Sequence, residues 1–198
     1  MRFSLPAFVL ATLSALPLVT WAAFKPIRVL APQLAGVQCT EANICIDDLT
    51  KLKQALVLRD DSVSFVESRI GKLSRVPRFI FCSSAECAKS FGFTSNAAYH
   101  VGTVGIVIGP RGWHSHFARH ELIHHLQMEN IGNMHALLFT PTWFIEGMAY
   151  SLSEDPRRPL PQPLEGWRIQ FEHWYPSVPI QDLWVTARAL RTQPRSAG

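Results

Sequence analysis

The sequence has no run of like charges, and no internal repeat is visible in its 198 residues. Lys and Arg occur in ones and twos, without interleaved aromatic residues, which argues against a nucleic-acid-binding surface and predicts no nucleic-acid partner. The modest net charge of +4 fits an ordinary solvated surface. Because 47% of the residues are apolar, the composition also argues against a disordered or collagen-like chain. We therefore expect a single globular domain over residues 25–198.

Cysteine is scarce, and its four positions form two close pairs, Cys39 with Cys45 and Cys82 with Cys87. Neither pair has the two-residue spacing that suits thiolate zinc knuckles, and the sequence has no other cysteine to complete such a cluster. Two local disulfides in an oxidising compartment explain the pattern, and buried unpaired thiols are the alternative.

Charged residues are absent from Leu5 to Phe24, an apolar stretch that follows Arg2 at the start of the chain. Thr20 and Ala22 suit the cleavage site of a signal peptide between Ala22 and Ala23. The stretch is also about 20 residues long, which is enough to cross a bilayer. Residues 1–24 are therefore predicted to be a signal peptide or an N-terminal membrane anchor. Both alternatives predict an exported protein that is periplasmic or otherwise extracytoplasmic, with a possible tether through residues 5–24.

Hydrophobic spacing and capping residues predict an alternation of helices and short strands. The glycines of one strand, Tyr99–Ile108, favour a sheet edge that another chain can approach closely. Pro156–Pro163 is predicted to be a surface loop. A further strand is predicted over Val76–Cys82. The predicted helices are one that begins near Leu49, then Ser62–Lys72, Ser83–Phe91, one from Trp113 or Ser115 to about Asn130, one from Pro141 to Ser153 with Thr140 as its N-cap, Leu164–Trp174 and Ile180–Arg191.

His120, Glu121 and His124 form an HExxH pattern on one of these helices. The two histidines are four residues apart and share a helix face, so both imidazoles can reach one metal ion. Glu121 is offset by about 100° around the helix, where it can contact a water molecule beside the metal and act as a general base. Alone, the pattern is also compatible with buried or surface histidines that bind nothing.

The next predicted helix carries Glu146, followed by Gly147, which permits a close approach between helices. Two histidines and one carboxylate complete a zinc site that leaves a fourth position for water.

The segments HELIH (120–124) and WFIEGMA (143–149) resemble those of gluzincin metallopeptidases, which include thermolysin and zinc aminopeptidases. The resemblance implies His120, His124 and Glu146 as ligands of one Zn²⁺ ion and Glu121 as the catalytic base. It also implies an α+β, minigluzincin-like fold, with a short β-sheet packed on the two motif helices, and a peptide or protein substrate. By position, Thr103–Ile108 would be the strand that holds extended substrate.

The chain departs from related patterns at several positions. Gln127 and Asn130 stand where the metzincin motif has glycine and histidine. Tyr150 replaces the acidic residue that follows the glutamate ligand in thermolysin-like enzymes, so the surroundings of the ligands must differ. Candidates for stabilising the oxyanion are Tyr150, His173 and Tyr175.

Three other side chains near the motif are predicted to stay outside the site. His116 is expected to face solvent, with a role as a rival ligand as the alternative. His125 points away from the ligand face, and Arg119 is expected to be solvated, although it could pair with a carboxylate.

The competing function is a non-catalytic envelope protein with a structural zinc site or a peptidase-like binding module. The sequence does not indicate an oligomeric state.

Overall fold

A computed structural model describes residues 24–93 and 95–191. The predicted signal or anchor segment therefore lies outside the described residues, except for Phe24. The described chain has an α+β architecture, in which helices surround one small mixed sheet. Its strands are β1 (Gln38–Cys39), β2 (Ile44–Ile46), β3 (Arg78–Phe81), β4 (Ala98–Val101) and β5 (Gly105–Ile108). Its α-helices are α1 (Leu52–Arg69), α2 (Ala85–Ser90), α3 (Ser115–Ile131), α4 (Asn133–Leu138), α5 (Thr142–Leu152), α6 (Leu164–Trp174) and α7 (Leu183–Ala189).

The sheet has the order β1-β2-β3-β5-β4. β2, β3 and β5 run parallel, whereas β1 and β4 pair antiparallel at the two edges. All residues of β2 and β5 are buried. Such apolar runs are typical of parallel strands that are covered on both faces.

The prediction of one strand over Tyr99–Ile108 is wrong, because the segment is a hairpin of β4 and β5. The β-branched residues continue through both strands, but Gly102 has a φ of +48° and the chain reverses there. β5 consequently lies between β3 and β4, so Thr103–Ile108 is not the sheet edge. The exposed edge beside the motif helix is β4.

The helical predictions differ from the structure at three places. α1 is one continuous helix where two were predicted, because the Ser62 hydroxyl donates to the carbonyl of Leu58 within the helix and does not cap a new one. Thr140 does not cap α5, since its hydroxyl donates to the His135 carbonyl and Pro141 occupies the N-cap position. The segment predicted as a helix over Ile180–Arg191 is a 3₁₀ turn followed by α7.

The core lies mainly between the sheet and helices α1, α3, α5 and α6. A smaller cluster on the other face of the sheet contains Cys45, Cys82 and Cys87 together with the 3₁₀ helix Lys25–Leu30. Both predicted disulfides, Cys39–Cys45 and Cys82–Cys87, are present. Their presence indicates an oxidising, extracytoplasmic compartment. None of the helices in residues 24–93 and 95–191 is long and apolar enough to span a membrane.

Candidate metal centre

Helices α3 and α5 pack against each other and bring three side chains of the predicted site together. The Nε2 atoms of His120 and His124 are 3.0 Å apart. One carboxylate oxygen of Glu146 lies 3.7 Å from His120 Nε2, and the other lies 3.7 Å from His124 Nε2. Two imidazoles and a carboxylate from the neighbouring helix therefore converge on one point.

The spacing of these atoms suits a small tetrahedral ion. Zinc bonds to histidine and carboxylate are about 2.0–2.2 Å long, which places tetrahedral ligand atoms about 3.3–3.5 Å apart. The observed separations of 3.0 and 3.7 Å lie on either side of this value. If all three groups held such an ion, one tetrahedral position would remain free, as in catalytic zinc sites.

Gln127 determines which ring nitrogen of His124 carries the proton. Its side-chain nitrogen donates to the carbonyl of Ile145 at 3.0 Å, so its oxygen faces His124 Nδ1 at 2.8 Å. His124 must then donate from Nδ1, which leaves the Nε2 lone pair directed towards Glu146. Because Ile145 precedes Glu146, the same amide also ties α3 to the backbone of the third ligand.

Replacing Gln127 with leucine is expected to weaken zinc binding about 10- to 100-fold, as is typical when the partner of a ligating histidine is lost. Competition titration against a chromogenic chelator measures this change. Asn130→Leu is the matched control, because the Asn130 side chain donates to the Leu126 carbonyl in its own helix and does not line the cleft. Equal affinities of the wild type and the Gln127→Leu variant would refute the orienting role.

Burial keeps both imidazoles in the form that binds metal. Desolvation lowers the pKa of His120 well below its usual value and also lowers the pKa of His124. Both rings are therefore neutral near pH 7 and offer a lone pair. Among the described residues, His120 Nδ1 has no hydrogen-bond partner. Of the two histidines, therefore, only His124 has its Nδ1 held by a side chain, that of Gln127.

Glu121 lies beside this group but is not part of it. Its carboxylate is 3.1 Å from Nδ1 of His100, on edge strand β4. Burial raises the pKa of Glu121 to about 7. A carboxyl group with this pKa is suited to exchange a proton near neutral pH.

His100 is a site residue that the sequence analysis missed. Its ring stacks on that of His124, with centroids 4.7 Å apart, and burial lowers its pKa to about 4. His100, Glu121 and His124 form a second group of potential ligand atoms that shares His124 with the first. No local pattern marks His100, because its position depends on the pairing of β4 with β5.

A cleft of about 610 Å³ opens onto these groups. Its lining includes Ala98–His100 of the edge strand β4, together with Tyr150 and Arg157. The Tyr150 ring meets the His120 ring edge-on, with centroids 4.4 Å apart. Burial raises the pKa of Tyr150 to about 12, so its hydroxyl stays protonated and can donate a hydrogen bond into the cleft.

The other oxyanion candidates are not in this cleft. Tyr175 is half-buried and stacks on the core residue Phe171, with ring centroids 5.1 Å apart. His173 is absent from the residues that line the cleft.

The predictions for the flanking side chains had mixed outcomes. His116 does not face solvent freely as predicted, because it is half-buried with its ring 4.2 Å from that of Phe117, and it belongs to neither potential ligand group. Arg119 is not simply solvated, since it pairs with Asp61 and Glu154. His125 points away from the ligands, as predicted, and contacts Glu129.

Comparisons with family models, curated proteins and solved structures found no match to this chain. The function is therefore inferred from the geometry of the chain itself.

Proposed function

We propose that this protein is an exported zinc-dependent hydrolase with a minigluzincin-like fold, and that it cleaves peptide bonds. The observation that carries the proposal is the convergence of His120, His124 and Glu146 on one point, with the buried carboxylate of Glu121 beside it. These residues are the donor set of a catalytic zinc ion with a general base next to it. The two disulfides support export.

Three residues of the cleft have separate roles in this reaction. Zinc, when bound, supplies a Lewis acid that polarises the substrate carbonyl and makes water more acidic. Glu121 accepts the proton of the attacking water and passes it to the leaving amine, and His100 holds its carboxylate in place. The Tyr150 hydroxyl donates a hydrogen bond to the oxyanion that develops on the substrate.

The edge strand β4 provides a binding surface for the substrate. Its inner side pairs with β5, and β4 is the last strand of the described sheet on that side. An extended peptide can add to the free side, which borders the cleft at Ala98–His100. This assignment replaces Thr103–Ile108, because the strand in that segment, β5, lies between β3 and β4.

The alternative of a closed, structural zinc site requires a fourth protein ligand. His116 was the nearest candidate in the sequence, but it lies outside the potential ligand groups of the described residues. This placement removes the fourth ligand that the sequence suggested. The other nearby imidazole, His100, has its Nδ1 on the Glu121 carboxylate, and this contact supports the open site and therefore the catalytic proposal.

Metal removal tests the proposed function. Treatment of the purified protein with a zinc chelator is expected to abolish cleavage of a broad peptide library, and Zn²⁺ added after dialysis is expected to restore it. Mass spectrometry of the library measures cleavage. Cleavage that persists in protein shown to be metal-free would contradict the proposal.

Tyr150→Phe is expected to lower kcat about 100-fold while KM and zinc content change little, because only the oxyanion loses its donor. Steady-state kinetics on a peptide found in the library digest measures the two constants. Tyr175→Phe is the matched control, since Tyr175 stacks on Phe171 and is not among the residues that line the cleft. An unchanged kcat in Tyr150→Phe would remove Tyr150 from the reaction.

A further inference from the structure

The short helix α4, which connects the two metal-site helices, exposes a group of large apolar side chains. Leu137 is 76% exposed and Met134 65%, while Leu138 and Phe139 are each at least half exposed. On the opposite side, Ala136 is buried against the core. An exposed cluster of this kind marks an interaction surface.

The exposed apolar surface continues beyond α4 onto the sheet. The turn of the β4–β5 hairpin touches α4, since Gly102 lies against the side chain of Asn133. The hairpin turn also exposes Val104. We call the exposed side chains of α4, Phe139 and Val104 together the α4 face.

The charges around the α4 face suit one kind of partner. Residues 130–145 contain no Asp, Glu, Lys or Arg, so no carboxylate there repels an anionic surface. At the margin, the Arg188 guanidinium donates to the Asn130 carbonyl, directly before α4. An apolar face without carboxylates and with a cation at its border suits the interface of a bilayer with anionic lipids.

The start of the chain points to the same partner. The apolar residues Leu5–Phe24 are long enough to reach across a bilayer. They join the domain at the 3₁₀ helix Lys25–Leu30, which packs against β4 and β5 and contacts Gly105, next to the hairpin turn, through Val29. A chain held to lipid by this stretch would bring the α4 face close to the same membrane.

We propose that the α4 face docks into the headgroup region of a lipid bilayer that contains anionic lipids. The metal site is close to this face, because His124 precedes Ile131 by seven residues of helix, or about 10 Å. Docking would therefore hold the cleft near polypeptide segments that emerge from the membrane. The docking surface itself does not depend on the proposed hydrolase activity.

A single fluorescent label on the full chain tests this proposal. All four cysteines are in disulfides, so Leu137→Cys introduces a unique free thiol for an environment-sensitive fluorophore. With vesicles of phosphatidylcholine and phosphatidylglycerol, the emission is expected to shift to the blue and to be quenched by lipids that carry a nitroxide. Met134→Cys repeats the test at a second position if the first variant does not fold.

Val57→Cys is the matched control, since Val57 is 61% exposed and lies near the start of α3, at the opposite end of that helix from α4. Its label is expected to remain unchanged by vesicles. An unshifted label at residue 137, or equal shifts at residues 57 and 137, would overturn the proposal. A blue-shifted label at residue 137 without vesicles would also overturn it, because a second copy or another segment of the chain would then cover the face.

Discussion

Replacing Glu121 with glutamine is expected to lower kcat for peptide cleavage about a thousandfold, while the protein keeps its zinc. The amide has nearly the same shape as the carboxylate but cannot accept the proton of the attacking water. Zinc is retained because Glu121 is not one of the three converging ligands. Steady-state kinetics together with metal analysis of the same sample measures both properties.

Glu129→Gln provides the control for this change. Glu129 lies on the same helix, but its carboxylate accepts hydrogen bonds from the backbone of Ser74 and Arg75, away from the cleft. We expect the Glu129→Gln variant to have the same activity per bound zinc as the wild type. Full activity of purified Glu121→Gln would show that another group acts as the base.

Gly147→Ala is expected to destabilise the protein by about 2–3 kcal/mol, as is typical of overpacking in a core. A Cβ atom at this position would lie 2.3 Å from the backbone carbonyl oxygen of Trp167 and 2.9 Å from the Phe171 Cβ. Helices α5 and α6 would have to separate to accommodate it. Because Glu146 is the adjacent residue, zinc affinity is expected to fall as well. Denaturant unfolding of the metal-free protein measures the stability change separately from the loss of metal.

Gly166→Ala is the matched control, because Gly166 lies on α6 of the same helix pair. There the added Cβ would meet only the flexible end of the Gln162 side chain, at 3.1 Å. Alanine favours helix over glycine by about 1 kcal/mol, so this variant is expected to be as stable as the wild type or more so. If Gly147→Ala were equally stable, the close contact between α5 and α6 would be wrong.

The parts of the site that could be predicted from sequence are those set by local spacing. His120, Glu121 and His124 are arranged by a single helix, whose periodicity is independent of the rest of the fold. Gly147 indicated a close helix contact, which the structure has with α6. The pairing of cysteines five or six residues apart is also a local property.

The parts that could not be predicted depend on contacts between distant segments. His100 reaches Glu121 only because β4 reverses at Gly102 and becomes the outer strand. Because of the same reversal, the edge at which we propose that substrate binds is β4 and not Thr103–Ile108. Arg119 was expected in solvent because its partner Asp61 lies 58 residues earlier in the chain. Alternating β-branched residues do not distinguish one long strand from a hairpin when the turn is tight.

We propose that His120, His124 and Glu146 bind one zinc ion and leave one coordination position open. X-ray absorption spectroscopy at the zinc edge, on the full chain purified with zinc, tests it most directly. We expect one zinc per chain, with about four nitrogen and oxygen neighbours at 2.0–2.1 Å, two of them imidazoles, and no sulfur. Protein that binds no zinc, or a spectrum with a third imidazole or with sulfur ligands, would contradict the account.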